Sequence, residues 1–184
     1  DAGFVQSILR SQWMPPPDPW LAGDTINYYY FGHFLSALLT LLSGVDLSVA
    51  YNLLLATIFS LVITGSFSVI YNVVGGGTWA VVSGVLGAIL LNLGGNLHPL
   101  WFKIFRPGAS YWYPDATRFI PYTIHEFPAY SHVVADLHGH LMNLPVVLLF
   151  LVLLIAFLTQ KDQGKSTNIP FIFSIVFGFL IGVF

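Results

Sequence analysis

The sequence predicts an all-α polytopic membrane protein, with about four transmembrane helices and one shorter, partly embedded interfacial helix. Three observations carry this. Apolar residues make up 56% of the 184-residue chain and charged residues only 8%, where an ordinary soluble domain is roughly a quarter charged. The mean hydropathy is +0.78. Between Leu47 and Phe102 there is no Asp, Glu, Lys or Arg, and that run is long enough for two spans of about 20 residues each.

The elements follow in order as one transmembrane domain over residues 1–184. Residues 1–27 read as an outer loop. Within it, SILRSQW can form a short interfacial helix, and Pro15, Pro16, Pro17 and Pro19 then forbid regular helix and favour an extended chain. Trp13 and Trp20 suit the headgroup level. Residues 28–44 open on three tyrosines, contain His33 and end at Gly44; they form a helix too short for a full crossing. Residues 48–74 form an apolar span, Gly75, Gly76 and Gly77 a tight turn, and residues 78–97 a second span. Small residues Ser83, Gly84, Gly87 and Ala88 allow close helix packing there. Residues 98–140 form a second outer loop, followed by spans at 141–159 and 169–184. The chain begins without Met and ends inside an apolar run, so it reads as part of a longer protein.

Charge sets the expected orientation. The short loop between the last two spans carries Lys161 and Lys165, which the positive-inside rule assigns to the cytoplasm. Counting back puts the 98–140 loop outside. If 28–44 only dips into the interface, Asp24 shares that outer face; if it crosses, Asp24 lies on the opposite side. Its shortness, His33 and the tyrosines favour the first arrangement.

The ionisable groups concentrate in one place. Asp115–Pro145 holds four of the six histidines and four of the fourteen charged residues. Such groups are costly near lipid and are usually kept for a use. His132, Asp136 and His140 are spaced i, i+4, i+8, so on a helix after Pro128 they share one face, a common start for a metal site. If the segment is extended instead, Asp136, His138 and His140 share a side. A solvated cluster at the mouth of a span is the plain alternative. Glu126 can serve as a ligand or general base, and Arg118 can hold a phosphate through its planar fork, unless the two pair with each other. Asp24 can bind a hard cation or accept a proton, or cap the helix that follows.

Other chemistries are excluded or unsupported. The chain has no cysteine, which rules out disulfides, thiolate zinc sites and a Cys nucleophile. A net charge of −2 and the lack of a basic stripe argue against nucleic acid as a partner. No nucleotide-binding glycine loop, GxSxG or HExxH occurs.

INYYYFGHF at 26–34, YNLLLA at 51–56 and TRFIPYTIHEFPAYSHVVADLHGHLMNLP at 117–145 resemble the "YYY" membrane proteins of bacteria and archaea, an uncharacterised family that itself looks like a member of the GT-C glycosyltransferase superfamily. The resemblance implies a GT-C-like fold in a prokaryotic plasma membrane, with the site on the extracytoplasmic face and a polyprenyl-phosphate-linked sugar as donor. Asp24 then matches the catalytic acid of the first outer loop and Asp136 the second-loop acid. Arg118, Tyr28 and Tyr29 contact substrate. Asp136, Glu126, His132, His138 and His140 are the candidate ligands of a divalent metal, Mg²⁺ or Mn²⁺ ahead of Zn²⁺. The rival expectation is a non-catalytic subunit of a larger membrane assembly, with other membrane subunits as partners. A transporter or proton relay ranks last, because the spans from 48 onward hold no charged residue.

Overall fold

A computed structural model describes residues 1–162 together with Phe173, Val176 and Gly178. Every regular element among these is helical, and the one extended pairing is an isolated bridge between Pro17 and Thr25. The helices are α1 (Ala2–Arg10), α2 (Phe31–Ser43), α3 (Leu47–Val74), α4 (Gly77–Leu93), α5 (His98–Phe105), α6 (Pro128–Val133) and α7 (Gly139–Asp162), with a 3-10 turn at Tyr113–Thr117.

Among the described residues two helices are long and apolar enough to cross a membrane, Leu47–Val74 and Gly139–Thr159, and the bent pair α4 and α5 makes a third if taken as one span. The span expected at 169–184 falls, apart from three residues, outside the described chain. The expected span 78–97 stops early, at Leu93, and α5 leaves it at 66°. Gly94 ends α4 by turning extended, at a place where a Cβ would stand 2.1 Å from the Leu90 carbonyl oxygen, and Asn96 sets the new direction. Its side-chain amide donates to the Ala116 carbonyl, and its Oδ1 accepts the His98 N–H at 3.1 Å, which starts α5 on a new axis.

Helix α3 begins where Asp46 caps it, with Oδ1 accepting the Ser48 N–H at 2.8 Å. It ends at Gly75, Gly76 and Gly77, all at positive φ of 83–90°, a turn that side chains with a Cβ adopt only under strain. Helix α4 then packs back on α3 through its small residues. A Cβ on Gly84 would stand 2.7 Å from Cδ2 of Phe67, and one on Gly87 would stand 1.8 Å from Cδ1 of Ile70. On the other side of α3, Leu54, Leu55, Ile58 and Val62 pack against Leu137, Leu141 and Leu148.

Helix α1 buries Val5 and Ile8 against Ala37 of α2, with Leu47 at the margin of the same cluster. Thirteen residues make α2 about 20 Å long, short of the roughly 30 Å hydrocarbon core. It starts beside His138, through Tyr29, and hands over at Gly44 to α3, whose Tyr51 touches Ala135 and Leu137. The start of α2 therefore lies beside the 126–140 segment, and the chain comes back to that segment about one turn into α3.

Two local expectations change. The helix expected over SILRSQW begins earlier, spans Ala2–Arg10 and takes in only SILR of that stretch, stopping before Ser11. The residue before α2 is Tyr30, without a side-chain cap, so Asp24 does not cap it.

Candidate metal centre

The site is made by the way α6 ends. A regular helix through His132, Asp136 and His140 does not form. Ala135 turns into the left-handed region at φ 56°, and the Asp136 N–H closes back on the Ser131 carbonyl at 2.9 Å. This six-to-one bond is the Schellman way of stopping a helix, with an alanine where glycine is usual. Tyr51 of α3 steadies the turn: its hydroxyl donates to the Ala135 carbonyl at 3.1 Å and accepts the Leu137 N–H at 3.2 Å. Beyond the turn residues 136–138 form no regular element, and α7 starts at Gly139. Asp136, His138 and His140 share a side, and His132 is carried off to meet the ring of Phe59 edge-on at 4.9 Å. Burial holds His132 below its usual pKa, and it takes no part in the cluster.

Glu126, His138 and His140 converge, each offering a ligand atom, with all three atoms within 4.8 Å of one another. Oε2 of Glu126 lies 3.3 Å from Nδ1 of His138 and 3.3 Å from Nδ1 of His140. Asp136 lies on the same side of His138 as Glu126, with Oδ2 3.5 Å from the same Nδ1. Its carboxyl is pushed above the usual range, chiefly by burial.

Both imidazoles are held from behind by hydroxyl groups. His138 Nε2 is 2.7 Å from the Tyr28 hydroxyl and 3.3 Å from that of Tyr29. Tyr28 in turn donates to Tyr29 at 2.5 Å, and the two rings stack at 3.9 Å. Burial raises the Tyr28 phenol above its ordinary pKa, so it stays protonated. His140 Nε2 is 3.0 Å from Ser131 Oγ. Gly139 lets the tyrosines in, since a Cβ there would lie 2.4 Å from Cε2 of Tyr29.

A second layer lies beneath. Phe4 of α1 packs against Tyr28 and edge-on to His33, and His33 Nε2 donates to Asp1 at 2.9 Å. His33 is fully buried, and burial pushes it down to about 4, so this is a neutral imidazole bonded to a carboxylate.

The remaining expected site residues stand apart. Asp24 is exposed, and only its backbone is engaged, with Leu21 and Asp18. Arg118 does not pair with Glu126: it donates to the Pro114 carbonyl and Thr117 Oγ1 and lies 5.5 Å over the Trp112 ring.

An apolar groove of about 610 Å³ runs between α2, α3 and α7. Leu35, Leu39, Leu54, Ile58 and Leu61 line it, and Tyr29 and His140 stand at its polar end.

A family described as "Uncharacterized membrane protein (DUF2298)" matches residues 1–184. The chain belongs to this family. Neither the curated proteins nor the solved structures searched give a match. The family description accords with the apolar helices and names no activity.

Sequence reasoning missed Ser131, Tyr51 and the Asp1–His33 pair. No local pattern marks Tyr51 or Ser131, each an ordinary residue on a helix. The one available signal was Gly139, an unpaired glycine between two histidines, where close approach by another group is a standard reason for the residue.

Proposed function

We propose that this protein is an integral-membrane transferase of the GT-C type, moving a sugar from a polyprenyl-phosphate donor at the extracytoplasmic face of a prokaryotic plasma membrane. One observation carries the reading: an apolar groove opens directly beside a cluster of carboxylates and imidazoles. A lipid-linked phosphate needs that pairing, a greasy channel for the chain and a charged centre for the headgroup. The return of the chain, after α2, to the segment beside which α2 starts supports an embedded helix, with residues 1–27 and 126–140 on one face.

In this reading the acceptor hydroxyl attacks the anomeric carbon of the sugar. Its proton passes to Asp136, the carbon–oxygen bond to phosphate breaks, and the phosphate leaves with the bonding pair. Glu126, His138 and His140 would hold a divalent ion, which supplies positive charge to the leaving phosphate. Asp136 is the better-placed proton acceptor, because it adjoins His138 whereas Asp24 touches nothing in the cluster. Tyr29 is near enough to the groove to contact the donor as well as His138.

The test is sugar transfer from a polyprenyl-phosphate donor by the full-length protein in lipid vesicles. Asp136→Asn is expected to lower the rate by about 10²- to 10⁴-fold and Asp24→Asn to leave it near wild type. No turnover with any such donor, together with stoichiometric co-purification in a larger membrane complex, would replace this reading with that of an accessory subunit.

A further inference from the structure

The geometry points to a zinc-class metal site in which His138 and His140 both bind through Nδ1 and Glu126 through Oε2, with Tyr28 and Ser131 fixing the two rings from behind. It rests on the transferase reading only for what the ion does, and changes the expected ion from Mg²⁺ or Mn²⁺ to one that favours imidazole.

Hydrogen bonding at His138 supplies the first support. Its Nε2 is taken up by the hydroxyls of Tyr28 at 2.7 Å and Tyr29 at 3.3 Å. That leaves Nδ1 as the nitrogen turned toward Glu126 at 3.3 Å and Asp136 at 3.5 Å. An imidazole nitrogen flanked by two carboxylates is a place where a cation can be shared.

Spacing is the second support. Ligands at about 2.0–2.1 Å from a tetrahedral ion stand roughly 3.3–3.4 Å from each other. The two Nδ1-to-Oε2 separations are each 3.3 Å, which is long for a charged hydrogen bond and right for two edges of that tetrahedron. The third is the back side of each ring. Metal-bound histidines almost always bond their second nitrogen to an oxygen, which sets the tautomer and the ring angle. Here both do, His138 to Tyr28 and His140 to Ser131. Two imidazoles and one carboxylate with an open position make a donor set for Zn²⁺ or a neighbouring transition ion; Mg²⁺ prefers oxygen ligands throughout.

The first tyrosines of the triplet thus act as positioning residues. Tyr28→Phe would keep the ring stack and free His138 to turn.

Calorimetric titration of the metal-stripped full-length protein in detergent tests this with Zn²⁺ and Mg²⁺ as probes. One Zn²⁺ per chain is expected, with Mg²⁺ at least about 100-fold weaker. Glu126→Gln should abolish zinc binding, and Tyr28→Phe should weaken it about 10- to 100-fold while changing the visible spectrum of the cobalt-substituted protein. Asp24→Asn should bind zinc like wild type and serves as the control for folding. A wild-type chain that takes up no zinc, or takes Mg²⁺ equally well, overturns the site. Unchanged affinity and spectrum in Tyr28→Phe overturn the role of the tyrosine. Zinc binding without sugar transfer would sink the transferase reading alone, and sugar transfer by a chain that takes up no zinc would sink this inference alone.

Discussion

The α3–α4 hairpin and the 126–140 segment are held together by opposite means. In the hairpin, glycines bring two apolar helices into contact, and the polar side chains mostly bond back to their own helix, as Ser66 does to Val62 and Asn92 to Ala88. In the 126–140 segment, little is regular, and the shape comes from side chains reaching across the chain: Tyr28 over 110 residues to His138, Tyr51 over 86 to Leu137. The first kind of structure resists polar substitution poorly but has no chemistry to lose. The second can lose its function to the removal of one oxygen while the helices stay in place.

Substitutions can separate the two. The largest effect is expected on the chemistry: Asp136→Asn should cost about 10²- to 10⁴-fold in transfer rate with little change in thermal unfolding. The reverse pattern should come from Gly84→Leu, which drives a side chain into Phe67. Overpacking of this kind costs about 1–3 kcal/mol, read as a lower unfolding temperature in detergent, with zinc affinity retained. If Gly84→Leu abolishes zinc binding, the two regions are coupled and the contrast fails.

Tyr51→Phe probes the seam between them. It removes one hydroxyl that serves the Ala135 turn twice, so about 1 kcal/mol of stability should be lost. Zinc affinity should fall as well, because the turn aims His138.

The last test concerns pH. The folded His33 titrates near 4, below the unfolded value of 6.5. Between those values the unfolded chain binds the extra proton, so stability falls as pH drops from about 6.5 toward about 4 and is flat above that window. Unfolding temperatures measured from pH 8 to pH 4 should show this decline, and His33→Gln should flatten it.

Much of the helical frame can be read directly from the residues. Helix α3 matches the expected 48–74 within a residue, and α7 covers the expected 141–159, because long apolar runs and the glycine triplet act locally. The direction taken after Leu93 was not legible, since it depends on Asn96 finding Ala116 twenty residues away. The site was legible in part. Glu126, Asp136, His138 and His140 stood out as ionisable groups in an apolar chain, yet their spacing allowed both a helix and an extended segment. One left-handed alanine decided between these, and with it the exclusion of His132.

By itself the sequence determined that this is a helical membrane protein whose ionisable side chains gather in one segment, because hydropathy and charge add up along the chain whatever the fold. Only the tertiary structure decided which of those side chains meet. It joined Tyr28 and Ser131 to the histidines, set the Asp1–His33 pair beneath them, and left Asp24 and Arg118 aside. Convergence of this kind depends on contacts between distant residues and on the direction in which a single turn sends the chain, and neither is written in local composition.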